Sequence, residues 1–150
     1  MTVLPARLFP DAAAVRHIGE GLLARSLPRD EWTHEAHLAA TLWLLRERPE
    51  IDVDAEIATI IARYNESVGG VNDDRNGYHD TITRAFLAGV RLHIAQCPPG
   101  APLDEAVNAL LAAPMGQRDW PLHFYSHALL FSVDARRGFV APDLAPLPET

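Results

Sequence analysis

Three histidines are the residues in this chain best suited to chemistry. His34 and His37 are three apart, and His79 lies further along, beside Tyr78. Neutral imidazole is the commonest metal ligand, and an i, i+3 pair on one helix carries two ring nitrogens to the same side. Three such ligands leave one coordination position open, as catalytic sites do. Glu66, Glu31 or Asp80 would add the carboxylate of a two-histidine, one-carboxylate iron centre. The first expectation is therefore a metal-dependent enzyme acting on a small molecule. His34, His37 and His79 would hold zinc, iron or nickel, and Glu66 and Tyr64 would assist catalysis. Water activated by the metal is the simplest reaction for it. The His-x-x-His spacing lacks the pattern His-Glu-x-x-His, so a zinc protease is not indicated.

A second reading uses the same residues without a metal. If three helix N-termini meet at the histidines, their dipoles favour an anion and depress the imidazole pKa values. His34 or His79 would then be a general acid–base, or the chain would be a non-catalytic binding module for a small anionic metabolite. A third reading makes the histidines hydrogen-bonded core or cap residues, which is the ordinary fate of any one of them taken alone. Three together beside Tyr64, Asn65 and Tyr78 favour a site.

The elements that must position these residues follow from periodicity and stop signals. Helices are expected over Asp11–Arg25, from Thr33 to before Pro49, and from Asp52 or Asp54 to Gly69-Gly70. Three more are expected over Tyr78–Gln96, Leu103–Ala112 and Pro121–Phe131, with a last turn after Ser132. Asn72 to Gly77 is turn chemistry, and the prolines at 142, 146 and 148 predict an extended tail. The fold class expected is all-α, a single-domain bundle of about six helices. Short loops make successive helices antiparallel, which brings the starts of helices two, four and six and the end of helix three to one end. His123 and His127, four apart, would share a face there.

Composition limits the function further. A chain of 150 residues is the size of one domain. The net charge is −7, with 13 basic residues scattered among 20 acidic ones, so nucleic acid and anionic membrane surfaces are disfavoured partners. No run approaches a membrane span, and the first residues lack the apolar core of a signal peptide. The one cysteine, Cys97, suits a reducing compartment and reads as a spectator at a helix end. The expected home is the cytoplasm. A homodimer is expected from the apolar excess of Leu103–Ala112.

Trp32-Thr33-His34-Glu35-Ala36-His37-Leu38, Tyr64-Asn65-Glu66, Gly77-Tyr78-His79-Asp80-Thr81-Ile82-Thr83, Phe124-Tyr125-Ser126 and Pro142-Asp143-Leu144 stand in that order. In this combination the chain resembles a family of small uncharacterised all-helical bacterial proteins, over most of residues 30–148. The resemblance implies a helical fold and a bacterial cytosolic home. It brings with it no activity, cofactor or catalytic residue.

Overall fold

Side-chain caps start the first three helices. Asp11 accepts a hydrogen bond from the Ala14 amide at 2.9 Å, Thr33 from Ala36 at 3.1 Å, and Asp52 from Ala55 at 3.3 Å. Each satisfies a first-turn donor that has no partner within the helix and stabilises it by about 1 kcal/mol. In the computed structural model, which describes residues 8–150, the helices are α1 (Ala12–Ala24), α2 (His34–Glu47), α3 (Val53–Ser67), α4 (Asp80–Gln96), α5 (Leu103–Ala112), α6 (His127–Leu130) and α7 (Val133–Arg137). Short 3-10 turns lie at Arg29–Glu31, Pro114–Gly116 and Trp120–His123. The described residues contain no strand.

α1 and α2 form a hairpin, and its closest approach is at Gly19. A Cβ on Gly19 would stand 2.2 Å from Trp43 Cε3, so only glycine lets the indole lie against α1 here. Val15, Leu38, Leu42, Trp43, Ile57, Val90, Val107 and Leu110 fill the main core between α1, α2, α3, α4 and α5. A second cluster, Ile18, Leu22, Leu27, Ala36, Ala40 and Tyr64, joins the end of α1, the start of α2 and the end of α3. The apolar residues of α5, Leu103, Val107, Leu110 and Leu111, are buried in the chain's own core. The apolar excess that suggested a homodimer is therefore accounted for within one chain.

The expected helix over Pro121–Phe131 is instead a 3-10 turn, a break and the short helix α6, while the last turn expected after Ser132 forms as α7. Local side chains provide the alternative to a continuous helix. Ser126 accepts from the Leu129 amide to start α6, and Ser132 accepts from Ala135 to start α7. The Ser126 amide is itself taken by the Asp143 carboxylate at 2.7 Å. Trp120 pins the preceding turn to α4 by donating from Nε1 to the Ala85 carbonyl at 2.9 Å.

Residues 139–150 have no helix or strand and lie along this segment. Val140 N–H donates to Thr81 Oγ1, Leu144 N–H donates to the Phe124 carbonyl, and the buried Tyr125 hydroxyl donates to the Val140 carbonyl. Among the described residues no helix is long and apolar enough to cross a membrane.

Candidate functional site

The first turn of α2 carries two histidines with matching bond patterns. His34 Nε2 lies 2.8 Å from the Gly116 carbonyl oxygen, and His37 Nδ1 lies 2.7 Å from the Thr33 carbonyl oxygen. A carbonyl can only accept, so each of these nitrogens carries the proton. The lone pairs are then on His34 Nδ1 and His37 Nε2, neither of which has a hydrogen-bond partner among the described residues. Both rings are half-buried. Phe86 of α4 meets His34 edge-on, with centroids 5.5 Å apart. Trp32 covers His37 at 3.8 Å and leans its other side on Tyr64.

Burial lowers the His37 pKa to about 4, against the Thr33 hydrogen bond, which raises it, and with a smaller push from the neighbouring His34. His37 is thus neutral at pH 7 and offers a lone pair, not a positive charge. The start of α2 also carries its own acid. Glu35 is buried, and its carboxylate lies 3.9 Å from the Arg118 guanidinium.

His79 occupies the corresponding place on α4 but is bonded differently. As the N-cap, its Nδ1 accepts from the Ile82 amide at 3.1 Å, while its Nε2–H donates to the Leu130 carbonyl at 2.7 Å. Both nitrogens are engaged. Burial pushes its pKa down, helped by the nearby Arg136 and opposed by the Leu130 bond and Asp80. Phe86, not His79, is level with His34. His79 stands seven positions before Phe86, about 10 Å along the helix at about 1.5 Å per residue. His34 and His37 thus share the first turn of α2, while His79 caps a different helix. Among the described residues no group of three His, Cys, Asp or Glu side chains is gathered to hold a metal ion.

The expected assisting groups are also engaged. Tyr64 is fully buried and donates from its hydroxyl to the Leu27 carbonyl at 2.9 Å, tying α3 to the end of α1. Burial raises its pKa, and Glu31 and Asp30 add to the effect. Glu66 is exposed and accepts from Asn72 Nδ2 at 3.3 Å. Asn72 also accepts from Asn65 and from the Tyr78 amide, so this group braces the loop before α4.

Glu31 pairs with His17 at 2.8 Å. Asp80 accepts from the Tyr78 hydroxyl at 2.7 Å and from Arg84 at 3.1 Å, and burial together with Asp80 pushes the Tyr78 pKa far up. His123 and His127 are exposed on two different elements and do not share a helix face.

Two clefts lie away from the histidine pair. One of about 230 Å³ separates α1 from α3 at Leu22, Arg25, Ile60 and Arg63. The other, about 350 Å³, lies between the ends of α2 and α4, where Arg46 and Cys97 line it. The Cys97 sulfur is 3.3 Å from His93 Nε2, which also bonds the Ala106 carbonyl.

Sequence reasoning missed two partners of the pair. Trp32 had the signal of proximity, being two residues before His34, but it read as core or cap packing. The Gly116 carbonyl left no signal, since any residue supplies a carbonyl and this one is 82 residues from His34. No family, curated protein or solved structure matches this chain.

Proposed function

We propose that the chain is a metal-dependent enzyme acting on a small molecule, with its metal held by His34 Nδ1 and His37 Nε2. The observation that carries this reading is the bonding of the two rings. Each donates its N–H to a backbone carbonyl and keeps the other nitrogen free. Metal-ligating histidines are held in this way, because the outer hydrogen bond fixes the tautomer and the orientation of the ring. Two neutral nitrogen donors suit zinc, iron or nickel and not magnesium or calcium. Coordination positions beyond the two rings go to water and substrate, and hydrolysis by metal-activated water is the simplest chemistry.

His79 is left out of the ligand set, since binding through either nitrogen would break a hydrogen bond it already makes. Tyr64 and Glu66 are left out as catalytic groups for the same kind of reason. Anion binding by the histidines alone is the weaker reading, because His37 brings no charge at neutral pH.

The test is metal content. Untagged protein, loaded with zinc and dialysed, should retain one equivalent by mass spectrometry. His34→Ala and His37→Ala should each lose it, and His79→Asn should keep it. Wild type that binds no zinc, or His34→Ala and His37→Ala variants that bind it as well as wild type, would overturn the proposal.

A further inference from the structure

The cleft between α1 and α3 has an apolar floor and two unlike ends. Leu22, Leu23 and Ile60 line the floor, and the volume is about 230 Å³. Glu56, Ile60 and Arg63 fall at helical spacing, so one face of α3 forms a wall. The Tyr64 hydroxyl bond to the Leu27 carbonyl ties the end of α3 to the turn after α1. Arg63 adjoins Tyr64 and Arg25 comes two residues before Leu27, so both arginines stand at that end. Glu56 is seven positions before Arg63, about 10 Å along the helix at about 1.5 Å per residue. Its carboxylate accepts from the Asp52 amide at 3.0 Å.

Neither guanidinium has an ion-pair or hydrogen-bond partner among the described residues, whereas Arg16, Arg84, Arg91 and Arg137 each hold a carboxylate. The net charge is −7, so two cations left without an acid on one cleft stand out from the rest of the chain. Arg25 also holds an unfavourable backbone conformation. It closes α1 at φ 58°, the left-handed region that glycine normally supplies at a helix end. The cap is made by its N–H, which donates to the Gly21 and Leu22 carbonyls and needs no side chain. The dipole of α1 welcomes a cation here, but a basic residue within the last turn would answer it without the strain. What arginine adds over glycine at position 25 is a guanidinium at the mouth of the cleft.

We infer that this cleft binds a small amphipathic anion, a carboxylate on a short apolar chain. The two guanidiniums take the carboxylate in charge-assisted hydrogen bonds, and the chain lies along Leu22, Leu23 and Ile60 toward Glu56. None of these residues belongs to the proposed metal site, so either reading can fail without the other.

The experiment titrates the nitrogen-15-labelled full chain with hexanoate, hexan-1-ol and acetate and follows the amide shifts. Hexanoate should move the amides of residues 22–26 and 59–64 and reach saturation. Hexan-1-ol keeps the chain without the charge, and acetate keeps the charge without most of the chain. Each should bind about tenfold more weakly than hexanoate, as should hexanoate to Arg25→Gly and to Arg63→Gln, the scale of one hydrogen bond to a charged group. Glycine suits the backbone at position 25 and Arg63 is exposed, so both variants keep the fold, which their unchanged shifts away from the cleft verify. Hexanoate shifts that do not saturate or fall elsewhere would overturn the inference. So would equal binding of the alcohol or of acetate, or wild-type affinity in either variant.

Discussion

The first turns of α2 and α4 put the same kind of residue to different uses. His37 on α2 and His79 on α4 are both shielded from water, and burial lowers both pKa values. On α4 the imidazole is used up, one nitrogen closing the helix start and the other holding α6 through Leu130. On α2, Thr33 does the capping, so the two rings above it are each held by one carbonyl and keep one nitrogen free. What separates the two helix starts is the residue that performs the cap. A threonine there leaves the imidazoles of its helix available, while a histidine there consumes itself.

The largest expected effect that would sharpen this contrast is on pH and falls on His37. Its pKa drops from the ordinary 6.5 to about 4 on folding, so between these values the unfolded chain binds the proton and the folded chain does not. Stability is complete above pH 6.5 and lost as pH falls toward 4, by up to about 3 kcal/mol at about 1.36 per unit. Denaturant unfolding of wild type and His37→Gln from pH 7 to 4 should show a shallower decline in the variant. Equal slopes would place His37 outside the low-dielectric interior.

The next effect belongs to His79. His79→Ala removes a cap and leaves the Leu130 carbonyl without its donor, a loss of about 2 kcal/mol. Asparagine is a good cap, so His79→Asn should recover about half. His34→Ala removes one hydrogen bond from a half-buried ring and should cost about 1 kcal/mol. If His34→Ala destabilised the protein as much as His79→Ala, the two starts would be structurally alike and the comparison would fail.

Smaller effects test the former assisting groups. Tyr64→Phe leaves the buried Leu27 carbonyl unpaired and should lower stability by about 1 kcal/mol in thermal unfolding, without altering zinc retention. Glu66→Gln changes an exposed carboxylate that meets only an amide, so its unfolding midpoint should move by less than about 0.5 kcal/mol. Zinc lost from either variant would return that residue to the site.

The helical class was legible because apolar residues recur at helical spacing, and Asp11, Thr33 and Pro98 mark where helices begin or end. The start of α2 was legible for the same reason, and with it the shared face of His34 and His37. Two things were hidden. Topology brought the starts of α2 and α4 to one end, but it could not say that α4 overhangs α2 by the stretch from Phe86 to His79. The break of the last helix was hidden because one partner of its Ser126 cap residue is distant in sequence, the Asp143 carboxylate that accepts the Ser126 amide from 17 residues away.

The most direct measurement of the central claim is nitrogen-15 NMR of the imidazole rings at pH 7, before and after zinc. Before zinc, His34 and His79 should carry their proton on Nε2 and His37 on Nδ1. After one equivalent, only His34 Nδ1 and His37 Nε2 should move to metal-bound shifts, with His79 unchanged. Movement of a His79 nitrogen, or no movement at His34 and His37, would contradict the account.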